Sequence, residues 1–519
     1  MKPVANQRTI LLTRIATGIL VAGAFSASIA SAATFQFRQP VMGLVSSPTV
    51  QAQQAATEIL VALTGGPTLP AGEVNWPYSY DLKQLLSVTG DSSYSPASVS
   101  WELQSGALPA GLSLGSNGVI SGTPTTKDAV GSSFQVLATY KTKTGQQAYT
   151  IVVNGAVLHV TQIAAGSLHT CAITTAGGLK CWGQDSNGQL GNDAAFTNQP
   201  TPVDVLGLTS GVASVSAGGY HTCAVTTAGG AKCWGFDAQG QLGNDAALVD
   251  KPTPVDVWGL TSGVANVSAG TNHTCAITTA GGVKCWGHDF NGQLGNDAAL
   301  VSQSTPVDVL GLTSGVASVS AVGYHTCAVT TAGGLKCWGR DNNGQFGNDA
   351  AMTNQPTPVN VLGLTSGVAS VSAGAYHTCA LTTGGGVKCW GLDDKGQLGN
   401  DAALTNQPTP VDVLGLTSGV ASVSAGGYHT CAVTTAGGLK CWGSDAYGQL
   451  GNDAASVDKP TPVDVLGLTS GVARVSAGGY HTCAITTAGG VKCWGYAGYG
   501  QLGAAVQVSS KPTPVDVAP

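Results

Sequence analysis

Charged side chains are scarce in this chain, and the scarcity limits the partners that it can have. Only 9% of its 519 residues are Asp, Glu, Lys or Arg, and the formal net charge is -6. A nucleic-acid-binding protein usually presents a basic face to the phosphate backbone. The composition therefore argues against a nucleic-acid partner, while the length allows several domains with a large buried core.

Glutamate is nearly absent. The three glutamates are Glu58, Glu73 and Glu102, so none is available as an acid, a base or a nucleophile beyond residue 102. The H-E-x-x-H and Walker motifs are missing as well, and no G-x-S-x-G motif occurs in the repeats at 155–519. Aspartate recurs along the chain, and an aspartate pair is the one route to catalysis that the composition leaves open. We expect no enzyme activity.

Long apolar runs are also lacking, except near the N-terminus. Three basic residues in the first fourteen precede an uncharged, mostly apolar stretch at 15–29, and an A-S-A cleavage site follows at 30–32. Residues 1–32 therefore predict a cleaved secretory signal peptide, with an uncleaved membrane anchor as the alternative. No later segment is long and apolar enough to span a membrane. We expect an exported chain with no membrane span after cleavage.

What the chain has in abundance is repetition. A unit of 52 residues recurs seven times from about residue 155 to the C-terminus, and a typical copy reads GVASVSAGGYHTCAVTTAGGLKCWG. The copy continues with xDxxGQLGNDAAxxxxPTPVDVLGLTS. Each unit carries two cysteines ten positions apart, and these pairs account for all 14 cysteines: Cys171 and Cys181, Cys223 and Cys233, Cys275 and Cys285, Cys327 and Cys337, Cys379 and Cys389, Cys431 and Cys441, Cys483 and Cys493.

Short strands dominate the unit. The runs GVASVSAG, HTCAVTT, LKCWG and PTPVDV are separated by turn residues, and AGG between the second and third predicts a hairpin. The prolines place the fourth strand on an outer edge, because proline cannot donate to a ladder. Seven four-stranded sheets bury their faces when they stack in a ring. The sequence therefore predicts an all-β fold with a seven-bladed β-propeller, four antiparallel strands per blade, at 155–519.

The pattern GxxHTCAxTTxGGxKCWGxDxxGQLG resembles the repeat of the regulator of chromosome condensation (RCC1) family. The resemblance covers about 155–519 in seven copies, and it implies the same seven-bladed propeller. Repeat 4 departs from the pattern with Val322 in place of Gly and Phe346 in place of Leu, and repeat 7 lacks the Asn-Asp pair. We expect these changes to lie in loops.

Two regions precede the propeller. Residues 33–70 are rich in Ala, Gln and Ser and predict a linker or weakly ordered segment. Residues 71–154 contain LPAGLSLGSNGVISGTPT followed by two strand patterns, which predicts a small β-sandwich. This motif resembles the immunoglobulin-like and cadherin-like modules of bacterial surface proteins, which implies a spacer or adhesive role.

The cysteine pairs fit a disulfide in every unit. Cys171 and Cys181 are symmetric about Ala176, so they face each other if the hairpin turn is centred there. Facing residues across antiparallel strands have Cα atoms about 4.5–5.5 Å apart, which a disulfide accepts, and an exported protein meets oxidising conditions. The alternatives are free buried thiols and a metal site that uses His169 with both cysteines. We expect no metal and no cofactor.

The repeated histidines and tryptophans predict architecture. One histidine per unit argues against catalysis, because an active site needs a few different converging groups. We expect hydrogen-bonded structural histidines at a strand start, namely His169, His221, His273, His325, His377, His429 and His481. We expect the Trp of each CWG to pack in the blade, and Trp258, which replaces a Leu of the other units, to lie in the core.

The loop after CWG has acidic and amide residues that are similar to those of a calcium-binding loop. DxxGQLGND carries Asp185, Asn187 and Asp193 in the first unit, but the spacing does not match an EF-hand. In the RCC1 family this loop is a turn, so we interpret it as a turn here.

The seven copies disagree mainly in two loops, one just after CWG and one before PTP. A propeller places the equivalent loops after CWG on one side of the ring. Such positions vary either because nothing constrains them or because they form a recognition face. The predicted binding residues are Gln184, Phe236, His288, Phe290, Arg340, Leu392, Tyr447, Tyr496 and Tyr499.

The leading hypothesis is an exported, monomeric, non-catalytic binding scaffold that is secreted, surface-held or periplasmic. One face of the propeller would contact an extracytoplasmic protein or glycan. The first alternative is a secreted enzyme inhibitor, since some exported propellers of this family type inhibit β-lactamases. The second is a polysaccharide-acting enzyme.

Overall fold

The computed structural model describes residues 58–194, 196–245, 248–297, 300–349, 352–401, 404–453, 456–504 and 508–519. The predicted signal peptide and residues 33–57 of the predicted linker lie outside this part of the chain. None of the helices in the described ranges is long and apolar enough to cross a membrane.

The N-terminal module is a sandwich of short β-sheets. Its strands are β1 (Leu60–Leu63), β2 (Gly72–Glu73), β3 (Tyr78–Asp81), β4 (Leu86–Thr89), β5 (Ser100–Gly106), β6 (Leu112–Leu114), β7 (Val119–Gly122), β8 (Asp128–Tyr140) and β9 (Lys143–Asn154). Two 3-10 helices lie at Leu82–Leu85 and Pro96–Ser98. The sheets have the orders β2-β9-β8-β5, β3-β7-β6 and β1-β4. Their apolar faces enclose one core with Leu82, Ile120 and Val136 at its centre.

The module begins before the predicted boundary at residue 71. Strand β1 pairs with β4 in antiparallel register, with Leu60 opposite Thr89. Val61 and Leu69 are buried in the sandwich core. The prediction of a linker up to residue 70 is therefore wrong for this stretch, because its apolar residues, such as Val61 and Leu69, complete the core.

Seven four-stranded antiparallel sheets follow, and each consists of four consecutive strands. Blade 1 contains β10 (Val160–Ala165), β11 (His169–Thr174), β12 (Leu179–Gly183) and β13 (Gln199–Asp204). Blade 2 contains β14 (Val212–Ala217), β15 (His221–Thr226), β16 (Ala231–Gly235) and β17 (Lys251–Asp256). Blade 3 contains β18 (Val264–Ala269), β19 (His273–Thr278), β20 (Val283–Gly287) and β21 (Gln303–Asp308).

The remaining blades repeat this order. Blade 4 contains β22 (Val316–Val322), β23 (His325–Thr330), β24 (Leu335–Gly339) and β25 (Gln355–Asn360). Blade 5 contains β26 (Val368–Ala373), β27 (His377–Thr382), β28 (Val387–Gly391) and β29 (Gln407–Asp412). Blade 6 contains β30 (Val420–Ala425), β31 (His429–Thr434), β32 (Leu439–Gly443) and β33 (Lys459–Asp464). Blade 7 contains β34 (Val472–Ala477), β35 (His481–Thr486), β36 (Val491–Tyr496) and β37 (Ser510–Asp516). The predicted seven-bladed all-β fold is confirmed.

The two middle strands of each blade are buried on both faces, because neighbouring blades cover them. In blade 1 every residue from His169 to Ile173 is buried, and Trp182 is fully buried. Cys171 stands directly opposite Cys181 in the ladder, with Cα atoms 4.1 Å apart. The same pairing recurs in each blade, so the seven predicted disulfides are present.

The antiparallel order defines two faces of the ring. The turns between strands 1 and 2 and the loops between strands 3 and 4 emerge together, on what we name the mouth face. The AGG hairpins between strands 2 and 3 and the connections from strand 4 to the next blade emerge on the opposite side, which we name the hairpin face.

A repeated hydrogen-bond network joins each blade to the next. In blade 2 the Trp234 indole N–H and the Thr222 hydroxyl both donate to the Gln189 carbonyl of blade 1, at 3.0 and 2.8 Å. The His169 Nε2 of blade 1 lies 2.9 Å from the same Thr222 hydroxyl. Since that hydroxyl already donates to a carbonyl, it accepts from the histidine N–H.

The network also closes the ring without an exchanged strand. The His481 Nε2 of blade 7 lies 2.8 Å from the Thr170 hydroxyl of blade 1. Thr170 and Trp182 of blade 1 donate to the Gln501 carbonyl of blade 7. The first and last blades therefore meet through the same contacts as any other pair of neighbours.

Candidate binding face

The nine predicted binding residues lie on the mouth face, at or just after the end of strand 3. In each blade the backbone N–H just after CWG donates to the carbonyl of the residue that precedes the repeated histidine. Phe236 bonds Tyr220 in this way at 3.0 Å, and Tyr496 bonds Tyr480 at 2.9 Å. This bond ties every variable position to the turn between strands 1 and 2.

Those turns carry tyrosines that the sequence analysis did not single out. The residue before the repeated histidine is Tyr220, Tyr324, Tyr376, Tyr428 or Tyr480 in five blades, and we name this set the tyrosine mouth. The five side chains line one pocket of about 210 Å³ over the end of the central channel. Leu168 and Asn272 hold the equivalent positions in blades 1 and 3. The sequence does contain a signal for these tyrosines. A bulky aromatic residue recurs in a turn, where packing does not require one.

Several predicted residues form a second layer that supports the tyrosine mouth. The Phe236 ring contacts Tyr220 with centroids 6.1 Å apart, and the His288 ring contacts Tyr324 at the same distance. The Arg340 guanidinium also lies over the Tyr324 ring, 5.6 Å from its centroid. The two aromatic layers are therefore packed against each other in blades 2 to 4.

Blades 5 to 7 carry two groups of contacting tyrosines on this face. The rings of Tyr376 and Tyr428 are 5.0 Å apart. Tyr447 contacts Tyr480 at 5.6 Å and Tyr496 at 4.9 Å. Tyr496 also contacts Tyr499 at 6.1 Å.

Three predicted residues take other positions. Phe290 contacts the His288 ring at 4.7 Å and is itself 61% exposed. Gln184 and Leu392 are half-buried and make only the backbone bond to the turn, with Leu168 and Tyr376 respectively. The structure therefore brings six of the nine predicted residues into ring contacts with the tyrosine mouth or its cluster and leaves these three at the edge.

Two phenols of the mouth have a raised pKa. Burial raises the pKa of Tyr480, with smaller contributions from Tyr376, Tyr447 and Tyr220. Burial also raises the pKa of Tyr428, and a hydrogen bond with Tyr376 adds to this effect. Among the described residues, none of those lining the pocket is acidic, basic or histidine. The pocket thus offers aromatic surface and phenol hydroxyls.

The floor of the pocket is a narrow channel of small residues joined by a belt of backbone hydrogen bonds. The Ser167 N–H donates to the Gly218 carbonyl of the next blade at 3.1 Å, and the Gly479 N–H donates to Gly166 across the ring closure at 3.0 Å. The corresponding donors in blades 2, 3, 5 and 6 are Gly219, Thr271, Ala375 and Gly427. These N–H groups point sideways to neighbouring blades.

The repeated histidines are structural, as predicted. All seven are fully buried, and each donates to a threonine hydroxyl of the next blade at 2.8–2.9 Å. Burial lowers the pKa of His169 to about 4 and that of His221 to about 3, with a smaller effect of His169 on the latter. They are therefore neutral at physiological pH.

The metal and calcium alternatives lose their ligands. Cys171 and Cys181 are bonded to each other, so neither sulfur can join His169 around a metal. The Asp185 carboxylate accepts from the Leu190 N–H at 2.9 Å within its own turn. Within the described ranges, no group of three or more His, Cys, Asp or Glu side chains is arranged to hold a metal ion.

Trp258 lies on the hairpin face, and the prediction that it belongs to the core is wrong. Its side chain is 62% exposed. The leucines at this position in five other blades are 55–56% exposed, because the residue follows strand 4 in an outward-facing connection. Phe346, by contrast, is fully buried in the place of a buried leucine, and Val322 ends strand β22 instead of lying in a loop.

Family models match both parts of the chain. A model described as an RCC1-like domain matches residues 249–519. Models of the regulator of chromosome condensation (RCC1) repeat match 160–189, 212–241 and 177–225. A model of an Ig domain matches 45–154.

Curated relatives and solved structures agree with these matches. Ultraviolet-B receptor UVR8 of Arabidopsis thaliana is 32% identical over 351 residues, which are 66% of this chain and 78% of that protein. E3 ubiquitin-protein ligase HERC2 of Homo sapiens is 31% identical over 64% of this chain, but the match is 7% of that protein. The structure of Kap60 bound to yeast RCC1 (Prp20) matches with a TM-score of 0.59 and 21% identity, covering 70% of this chain and 85% of that chain.

A second solved structure, that of human WBSCR16, matches with a TM-score of 0.54 and 23% identity, covering 64% of this chain and 87% of that chain. At this identity both structures establish the fold alone. The RCC1-like model, however, covers more than half of the chain, and the match to UVR8 exceeds 30% identity. The chain therefore belongs to the RCC1-repeat family of β-propellers.

Proposed function

We propose that this protein is an exported, non-catalytic binding scaffold whose mouth face contacts an extracytoplasmic protein or glycan. The observation that carries the proposal is the tyrosine mouth, in which five blades direct a tyrosine to one pocket. Tyrosine supplies a large rigid contact area with a hydrogen-bonding tip, and it is enriched at binding hot spots.

Two further features support export and the lack of catalysis. Seven disulfides are stable in an oxidising compartment, which agrees with the signal peptide predicted at 1–32. The described residues that line the pocket include no carboxylate, histidine or lysine to act as general acid or base. This composition favours binding over the polysaccharide-acting alternative.

Protein binding also has support from relatives. One matching structure is of yeast RCC1 bound to a protein, Kap60, and one curated relative is named a receptor. Those partners and signals belong to the relatives. They support the idea that this fold serves as a platform for recognition.

A capture experiment with matched variants tests the proposal. The double variant Tyr376→Leu with Tyr480→Leu alters the mouth, and Trp258→Leu alters a more exposed aromatic residue of the hairpin face. Extracellular proteins and a glycan array are probed with the wild-type protein and both variants. We expect any partner of the wild type to be lost by the mouth variant and kept by Trp258→Leu. Equal retention by both variants, or loss by Trp258→Leu alone, would refute the proposal.

The alternative of a secreted enzyme inhibitor rests on the tyrosine cluster beside the mouth. Tyr447 is 39% exposed and packs on Tyr496, which packs on Tyr499. Such a cluster could enter the active site of a secreted hydrolase, such as a β-lactamase. Inhibition by the wild type that is lost in Tyr447→Ala or Tyr499→Ala would favour this alternative.

A further inference from the structure

The tyrosine mouth has a chemistry that narrows the class of its ligand. Its rings come from different sides of the ring of blades, since Tyr220 of blade 2, Tyr376 of blade 5 and Tyr480 of blade 7 all line the one pocket. The phenols therefore converge near the axis and surround the pocket. Aromatic faces carry negative electrostatic potential, so a converging set of them attracts cations.

The pocket has few of the groups that bind anions. Anion sites use free backbone N–H groups, lysine or arginine. In six blades the N–H at the pocket floor donates to the neighbouring blade in the belt described above, as Ser167 does to Gly218. None of the described lining residues is lysine or arginine. The exception is blade 4, where no such bond from the Gly323 N–H is present among the described residues, so the pocket presents aromatic rings, oxygen atoms and this one backbone donor.

Two charged groups of the protein lie beside the pocket and act in opposite directions. The Arg340 guanidinium lies 5.6 Å from the centroid of Tyr324, so this ring already holds a cation of the protein, and the other four tyrosines are left for a ligand. On the other side the Asp394 carboxylate is close enough to contribute to the raised pKa of Tyr428, after burial and neighbouring phenols. A carboxylate near the aromatic rim favours a positive ligand.

We propose that the tyrosine mouth binds an alkylammonium group. This inference rests on the proposed function, because it names the ligand class of the same face. The group could belong to a small quaternary amine or to a lysine side chain of a protein partner. Both present a compact cation on an alkyl stem, which aromatic cages recognise.

Ligand titrations at constant ionic strength test this class. The probes are choline, its neutral isostere 3,3-dimethylbutan-1-ol, N-acetyl-lysine methylamide and acetate, with binding followed by ligand-detected NMR. We expect at least one ammonium probe to bind roughly tenfold tighter than the neutral isostere. Choline and the lysine derivative distinguish the two sources. Equal binding of the isostere, or stronger binding of acetate, would overturn the proposal.

Variants at one ring separate cation recognition from hydroxyl recognition. Tyr480→Phe keeps the aromatic face and should keep ammonium binding within about threefold, whereas Tyr480→Leu should weaken it by about tenfold. An equal loss in both variants would show that the hydroxyl is the recognised group and would refute the cation proposal. A glycan or protein captured at this face without any ammonium preference would refute the ligand class but leave the binding-face proposal intact.

A different observation carries a second inference, on the N-terminal module. The Trp76 ring of the module stacks on His159, which precedes blade 1, with centroids 3.5 Å apart and an interplanar angle of 8°. The Glu73 carboxylate accepts from the Val157 N–H at 2.8 Å and lies 3.1 Å from the His159 Nε2. The module therefore contacts the segment that joins it to the propeller through a stacked ring pair and hydrogen bonds.

The same segment holds the two ends of the ring together. The Leu158 N–H donates to the Val517 carbonyl at 3.0 Å, and the Val160 N–H donates to the Gly489 carbonyl at 2.9 Å. His159 Nδ1 lies 3.2 Å from the Ala488 carbonyl in the hairpin of blade 7. We infer that the N-terminal module acts as a clasp on the ring closure, in addition to any spacer role.

Hydrogen exchange of the full chain tests the clasp. In Glu73→Gln and Trp76→Leu the amides of the blade 7 hairpin, residues 486–490, should exchange at least about threefold faster, since local opening governs exchange. The equivalent hairpin of blade 4, residues 330–334, is an internal control, and the exposed Glu102→Gln is the control variant. Unchanged exchange in blade 7, or an equal increase in blade 4, would contradict the clasp.

Discussion

The mouth face and the hairpin face of the propeller differ in how much the seven copies agree. On the hairpin face the AGG turn and the LGLTSG connection are nearly the same in every blade, and one exposed apolar residue recurs: Leu206, Trp258, Leu310, Leu362, Leu414 and Leu466. On the mouth face the residue after CWG is different in all seven blades. The sequence of the hairpin face is therefore set by the shared backbone of the blades. The residues that differ from one blade to another lie on the mouth face.

The cause of this difference is the space available to side chains. In the hairpin of blade 4, Gly333 has φ 78°, a conformation that an L side chain rarely adopts. On the mouth face, strand 3 ends at or just before the variable residue, whose backbone is fixed by one bond to the turn. Its side chain lies beside the tyrosine mouth or at its edge, where residues as different in size as Ser444 and Arg340 are found.

Reduction of the disulfides should have the largest effect, because it alters the shared core from which both faces extend. All fourteen cysteines are paired and buried, and each bond closes a ten-residue hairpin. Each closure is worth roughly 2–3 kcal/mol on the chain-entropy model. We expect the guanidinium midpoint to fall sharply in reductant and the mass of the denatured protein to rise by about 14 Da on reduction. A mass that does not change would disprove the seven bonds.

Acid should weaken the contacts between neighbouring blades, where the buried histidines lie, and should have little effect on the tyrosine mouth. The buried histidines have pKa values lowered by burial to about 3 or 4, whereas the unfolded chain binds the same protons near 6.5. Between these values the unfolded state binds more protons, so the free energy of unfolding falls as the pH drops below about 6.5.

Buried aspartates oppose part of this loss. Burial raises the pKa of Asp185 to about 6, and the equivalent aspartates of blades 2 to 6 behave alike. Their contribution is present in acid and is lost as the pH rises through 6. The seven histidines are more numerous and their pKa values move further, so the guanidinium midpoint should decrease from pH 7 to 4.5. A midpoint that increases as the pH falls from 7 to 4.5 would contradict the assignment of the seven histidines as buried and neutral.

Substitutions on the two faces should differ in cost. Gly333→Val forces a branched side chain into the left-handed region and should cost about 1–2 kcal/mol or more. Phe290→Ala removes a side chain that is 61% exposed on the mouth face and should change stability by less than about 0.5 kcal/mol. Denaturation midpoints measure both. Equal costs would mean that the mouth-face loops are as constrained as the hairpins.

The same contrast explains what could be predicted from the sequence. The 52-residue period and the symmetry of Cys171 and Cys181 about the hairpin turn specify the blades and their disulfides, because register and burial are local consequences of the pattern. Disagreement among copies located Tyr496 and Phe236 but not Tyr480, which is repeated. Convergence of the repeated tyrosines depends on closure of the ring, which no single unit contains.

Blade 4 offers the smallest effect, at the point where the belt under the mouth is interrupted. Val322 stands where the other blades have glycine, and it extends strand β22 by pairing with His325. In the other blades a Cβ at this position would lie within 2.9 Å of the histidine ring, so only glycine fits the usual turn. No belt hydrogen bond from the Gly323 N–H to blade 5 is present among the described residues.

Val322→Gly should therefore restore the usual turn and the missing bond. A hydrogen bond adds about 1 kcal/mol, but the entropy that glycine loses on folding offsets about 0.5–1 kcal/mol of it, so the denaturation midpoint should change little. The clear readout is hydrogen exchange, in which the amide of residue 323 should become protected to the level of Ala375. If that amide remains unprotected, the turn of blade 4 is set by its neighbours instead of by Val322. The difference between blade 4 and the other blades at the mouth would then result from the packing of the whole ring.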